Sequence, residues 1–179
     1  NQLNTPNFLN NNLSSSISYS KSFPEYPRVN ISLTTAMSQN SQSKAVNLTL
    51  PTFQANMERI FPFAPKIGAK KGFFQNINFQ YAGRAENRII TTEDKLFGPL
   101  MFENAKYGMT HSIPLSTNFK LLKYLSISTS ANYNEVWTQN IIRYNDFDLE
   151  TNSVKKDTIN KIGAFREYGF SASMGTTIY

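Results

Sequence analysis

Gly108–Leu121 reads GMTHSIPLSTNFKL, and after only Leu122-Lys123-Tyr124 the chain resumes as Leu125–Thr138, LSISTSANYNEVWT. In the first run Met109, Ile113, Leu115, Phe119 and Leu121 share one parity, and Ser112, Ser116 and Asn118 share the other. In the second, Ile127, Ala131, Tyr133 and Trp137 oppose Ser126, Ser128, Ser130 and Asn132. A repeat of two sends alternate side chains to opposite faces of a strand, whereas a helical face would repeat at about 3.6. Two such runs joined by three residues predict an antiparallel hairpin with one apolar face and one hydroxyl- and amide-bearing face.

The same reading extends in both directions. Leu13–Phe23 sets Leu13, Ile17, Tyr19 and Phe23 against Ser14, Ser16, Ser18 and Ser20, and Val29–Met37 sets Val29, Ile31, Leu33 and Met37 against Asn30, Ser32 and Thr34. The polar cluster Ser38–Lys44 turns the chain. A third run alternates on Val46, Leu48 and Leu50, meets Pro51, and resumes on Phe53, Ala55 and Met57 with its parity reversed. Proline cannot donate to a ladder, so a bulge at Pro51 is the way to keep one face apolar throughout. Phe73–Asn87 places Phe73, Ile77, Phe79 and Tyr81 opposite Asn76, Asn78 and Gln80, and Phe165–Tyr179 continues the pattern with Tyr168, Phe170, Ala172, Met174 and Ile178. Arg59–Gly72, with two prolines and Lys70-Lys71, reads as a connection; Arg88–Tyr107 and Gln139–Ala164 read as long loops.

About seven strands of ~10 to 14 residues are predicted. Soluble strands centre on ~5 to 6, whereas a tilted membrane span needs ~9 to 11. Composition agrees: charged residues make up only 17% of the 179, aromatics 13%, and the polar half of the pattern is filled by Asn, Ser, Thr and Gln. Soluble domains carry ~25% charge. No run approaches the ~18 apolar residues of a spanning helix. There is no cysteine, which excludes disulfides and thiolate chemistry, and the first residues carry no signal peptide. The net charge of +6 is spread over turns and loops without a basic, aromatic-interleaved patch, so nucleic acid is not an expected partner. The expected fold is all-β: residues 1–179 form one partial transmembrane β-barrel domain in the outer membrane of a Gram-negative cell. A secreted β-sandwich also alternates, but with shorter strands and more surface charge.

Barrels of this kind keep short turns in the periplasm and long loops outside. Placing Leu122–Tyr124 in the periplasm puts Asn1–Asn12, Ser38–Lys44, Arg88–Tyr107 and Gln139–Ala164 outside, and makes Arg59–Gly72 a long periplasmic turn. Tyr19, Phe23, Tyr107, Tyr124, Trp137, Phe165 and Tyr168 are expected in the aromatic girdles. Seven strands do not close a single-chain bacterial barrel, which uses eight or more in even number, so the segment is expected to be part of a larger wall.

Little in the sequence points to covalent chemistry, and no catalytic residue, cofactor or metal site is assigned. His111 is the sole histidine and sits in a strand without partners for a triad or a metal. Glu93-Asp94 and Asp146, Asp148, Glu150 and Asp157 read as solvated loop charge. Gly68-Ala69-Lys70-Lys71-Gly72 lacks the spacing of a phosphate loop. Three glycosylation sequons, at Asn12, Asn30 and Asn47, are by-products of Asn and Ser/Thr alternating with apolar residues.

Ser38–Gln42, Val46–Pro51, Asn56–Phe63, Thr92–Phe97, Tyr107–Ser116 and Leu122–Leu125 followed by Asn132–Trp137 resemble the barrel of LPS-assembly outer-membrane proteins, the LptD family, in its Bacteroidota-type branch. The resemblance covers most of Ser32–Thr138. It implies a larger barrel that inserts lipopolysaccharide or lipooligosaccharide into the outer leaflet without catalysis. A plug lipoprotein, periplasmic bridge proteins, lipopolysaccharide and membrane lipid are the implied partners. The family's periplasmic jellyroll and the strands of its lateral gate are not matched by these residues. Under this reading Asn76, Asn78, Gln80, Ser116 and Asn118 are expected to face the lumen and hydrogen-bond sugar. A porin-like or TonB-dependent-type channel is the alternative, and an outer-membrane enzyme stands behind both.

Overall fold

A computed structural model describes residues 11–176 except Asn104 and Lys123. Seven strands follow one another along the chain: β1 (Asn12–Phe23), β2 (Val29–Asn40), β3 (Ala45–Ile60), β4 (Asn78–Thr92), β5 (Lys106–Leu121), β6 (Leu125–Asp148) and β7 (Ser153–Thr176). They pair in that order as one antiparallel sheet that does not close on itself. Two short helices, α1 (Gly72–Gln75) and α2 (Pro99–Glu103), sit in the β3–β4 and β4–β5 connections. None of the described helices is long and apolar enough to cross a membrane.

Register keeps the two faces apart across the whole sheet. Tyr19, Leu33, Phe53, Ala85, Met109, Trp137 and Ala164 form one row on the apolar face. The polar face is sewn by side-chain hydrogen bonds between neighbouring strands: Ser18 with Thr34 at 3.0 Å, Ser116 to Asn78 at 2.9 Å, Ser112 to Asn134 at 2.8 Å and Ser130 with Ser171 at 2.7 Å. The parity reversal at Pro51 is resolved by a bulge. Three steps along β3, Thr49 to Thr52, face two along β2, Thr34 to Ala36, and two along β4, Arg88 to Glu86. Phe53, Ala55 and Met57 thereby stay on the same face as Val46 and Leu48.

No second layer covers the apolar face over most of its extent. Among the described residues the buried apolar side chains are Val46, Leu48, Ile89 and Met101, while Ile17 is 77%, Phe170 79% and Met174 72% exposed. A soluble sheet would pack such a face against a partner. The sandwich is therefore excluded: this surface needs hydrocarbon against it. The sheet edges make a related demand. β1 and β7 present unpaired backbone groups that lipid would leave unsatisfied, so the wall continues on further strands.

Strand ends reveal the inclination of the wall. A single register row passes through Lys21, Ile31, Ala55, Gly83, His111, Glu135 and Arg166. It lies two residues from the end of β1 at Phe23 but ten from the end of β5 at Leu121. The line of short turns thus runs obliquely to the hydrogen-bond rows, the stagger that tilted strands produce in a barrel.

Several boundaries differ from the sequence expectation. Gln139–Ala164 is not a loop: β6 and β7 stay paired almost to their tip, leaving only Leu149–Asn152 as a turn. Beyond the main sheet both faces of this ribbon are exposed, and the alternation that marks a membrane strand fades although the ladder persists. Polar cross-strand partners such as Arg143–Asp157 and Tyr144–Lys156 take its place. At the tip Asp148 accepts the Glu150 amide at 2.9 Å, which holds its carboxyl below the ordinary value. The fourth strand begins at Asn78 and not Phe73, because Gly72, at φ +68°, opens a turn of helix. The β4–β5 loop shrinks to Glu93–Ala105. Phe165 is on the polar face, opposite Val136, and so leaves the expected girdle. Of Asn1–Asn12, the first ten residues lie outside the described ones, as does the end at Thr177–Tyr179.

At the long-loop end α2 supplies what lipid supplies elsewhere. Met101, 1% exposed, seats on Val46, Leu48 and Ile89, with Met37, Leu50, Leu96 and Ala105 around it. We expect Met101→Ala to cost about 2–5 kcal/mol locally, as buried Met truncations do. The check is faster proteolysis within Glu93–Ala105 with the heat-resistant barrel band unchanged, since strand pairing does not depend on this cap.

Candidate functional site

The polar face gathers into a hollow of about 400 Å³ at the short-turn end. β4 and β5 bring Asn78, Ser116 and Asn118 to it, and Asn76 reaches it from the C-cap of α1. The adjoining strands add Ser128, Ser130, Ser171 and Ser173. Gln80 is exposed on β4 but does not line the hollow. Four of the five residues expected at the lumen are thus brought together.

Their hydrogen-bonding capacity differs. Asn78, only 7% exposed, donates to the carbonyls of Asn76 and Ser116, each at 2.9 Å, and accepts from the Ser116 hydroxyl. It locks the β4–β5 seam and has little left for a ligand. Asn76 donates to the Gly72 carbonyl at 2.7 Å and closes α1. Asn118 and the serines of β6 and β7 remain the open part of the surface.

Three residues that the sequence reading left in a connection turn out to line the hollow: Arg59, one residue from the end of β3, Phe61 and Lys70. The Lys70 ammonium stands 3.2 Å from the centroid of Phe61, a cation–π contact that holds it beside the hollow. α1 completes this end. Its Phe73 carbonyl accepts the Thr117 hydroxyl at 2.9 Å, and its ring meets Phe119 edge-on at 5.4 Å. The basic run Lys70-Lys71 was visible in the sequence. Its position was not, because it follows from a 15-residue excursion, Phe61–Gln75, returning to strands more than 40 positions away. Such a surface of hydroxyls, amides and two cations offers hydrogen bonds suited to hydrated, hydroxyl-rich or anionic groups.

One face for hydrocarbon, one for water and a staggered antiparallel ladder define a segment of transmembrane β-barrel wall. The family model described as LptD protein matches residues 1–179, so the chain belongs to the LptD family. That family comprises outer-membrane transport and assembly proteins and not enzymes. No curated protein and no solved structure matches the chain.

Proposed function

We propose that this wall segment serves the insertion of lipopolysaccharide or lipooligosaccharide into the outer leaflet. The family match over residues 1–179 carries this reading. The polar hollow supports it: a glycan passing through the lumen would exchange water for hydroxyls, amides and the Arg59 and Lys70 cations, while the acyl chains leave through lipid. Asn118 and the neighbouring serines would hydrogen-bond sugar; Asn76 and Asn78 would hold the surface in shape. Under this proposal the turn at Leu122–Tyr124 is periplasmic and the β6–β7 ribbon extracellular. A plug lipoprotein in the lumen and a periplasmic bridge delivering the lipid would be its partners.

Depletion of the full-length protein tests the proposal, with surface lipopolysaccharide as the readout. A fall in surface lipopolysaccharide supports it. Unchanged levels, with solute conductance by the reconstituted barrel, would establish a channel instead. Reversing charge in the hollow with Arg59→Glu and Lys70→Glu together should lower lipopolysaccharide cross-linking to the lumen about tenfold or more, since a charge-assisted hydrogen bond contributes ~1.5–3 kcal/mol.

A further inference from the structure

Charge breaks the apolar face in the oblique register row, which places Lys21 at one end and Glu135 beside Arg166 at the other. The last three members of that row are His111, Glu135 and Arg166. Tyr81 reaches the His111 Nδ1 at 2.8 Å, passing over Gly83, where a Cβ would collide with its phenol. The Tyr133 hydroxyl donates to Glu135 Oε2 at 2.6 Å, and Arg166 Nε donates to Glu135 Oε1 at 2.9 Å. Glu135 is largely enclosed, its side chain 13% exposed, whereas the Arg166 side chain is 57% exposed. The carboxylate is occupied in aiming a guanidinium that also meets Tyr133 and stays more than half exposed.

Height decides what that guanidinium meets. Glu135 lies ten residues from the short-turn end of β6 at Leu125, and Arg166 is its register partner on β7. Ten residues span ~34 Å along a strand and ~26 Å along the axis at ~40° tilt, close to the ~25 Å height of an apolar band. Charge on the lipid side costs little at that level. Tyr133 and Tyr168, their rings 5.3 Å apart, and Trp137 flank the row as interfacial aromatics do. Toward the short-turn end a hollow of about 590 Å³ opens on the apolar face between Phe79, Ile113, Leu115 and Phe170, where Ala131 leaves room.

We infer that this row and the hollow form a lipid site on the outside of the wall, for an acylated glucosamine-type glycolipid bearing phosphate. The phosphate sits on the exposed fork of Arg166, whose planar donors suit it. One acyl chain occupies the hollow beside Ala131. The inference rests on the proposed function, because it takes the outer-leaflet glycolipid to be the cargo class, now met on the exterior surface.

The test uses the full-length barrel in nanodiscs of phosphatidylethanolamine and phosphatidylglycerol doped with bisphosphorylated lipid A, with retained lipid counted by native mass spectrometry. Wild type should retain one lipid A in preference to phospholipid. Arg166→Gln, which still donates to Glu135, should reduce retention about tenfold or more, and Arg166→Lys should recover part of it. Ala131→Phe, an apolar change on a lipid-facing surface, should also abolish retention by filling the hollow. Wild type should bind dephosphorylated lipid A about tenfold or more weakly than phosphorylated lipid A, which decides the matter should Arg166→Gln not fold. Equal retention by wild type and Ala131→Phe would overturn the inference, as would retained phospholipid with the same dependence on Arg166. Absence of retention by wild type would also end it, while depletion would still decide the transport reading separately.

Discussion

Replacing Leu115 by arginine is expected to destabilise the folded barrel by about 2–4 kcal/mol, the cost of such a charge near the middle of the lipid face. Leu115 lies on β5 six residues from Leu121, on the parity of Ile113 and Phe119. It registers with Ala131 and stands 42% exposed within the sheet. In a bilayer that exposure is to acyl chains, and the guanidinium could reach water only by distorting the wall. Ser130→Arg places the same side chain one register step away on the other face, beside Ser116 and Ser171 in register. It should cost under about 1 kcal/mol, because the lumen hydrates it. Urea titrations of the full-length protein folding into lipid vesicles, scored by heat-modifiable mobility, measure both. Equal costs would show that the two faces do not see different solvents, and the membrane assignment would fall.

A second large effect should separate two deletions that look alike on paper. Pro51 is the extra residue of the β3 bulge. Removing it lets Leu50 and Phe53 alternate without interruption, so the deleted strand can pair evenly with both β2 and β4 as far as Met57. The barrel should still fold, losing at most about 1–2 kcal/mol for the reshaped ladder. Ser130 lies in the opposite situation. β6 pairs without a break with both β5 and β7 from Leu125 to Thr138. Deleting Ser130 shifts one part of the strand against the other and turns Ala131, Tyr133 and Trp137 inward, or Leu125 and Ile127, whichever side yields. We expect no heat-resistant folded band from the Ser130 deletion and a near-normal amount from the Pro51 deletion, measured in outer-membrane fractions. A folded Ser130 deletion would mean that register here is weakly specified.

These contrasts follow from how much of the wall is local. Which residues share a face was readable because it depends only on parity within one strand, and Pro51 announced its bulge by reversing that parity. The Glu135–Arg166 pair had a sequence signature too, since both residues interrupt the apolar parity next to Tyr133 and Tyr168. It carried little meaning until register set the two side by side. The outer half of the β6–β7 ribbon was missed for a physical reason: with both faces exposed alike, nothing selects apolar residues at every second position, and a strand without that selection reads as a loop.

The amino-acid sequence by itself determined the number of strands, their two-faced character and the need for lipid on one side, because each is a property of neighbours along the chain. Only the tertiary structure decided the oblique stagger, the seating of Met101, the arrival of Arg59 and Lys70 at the polar hollow, and the height of Arg166 on the outer surface. Those depend on which residues, often 30 or more positions apart, are brought opposite one another. Turns and bulges set that alignment through backbone hydrogen bonding, which is almost blind to the side chains it brings together.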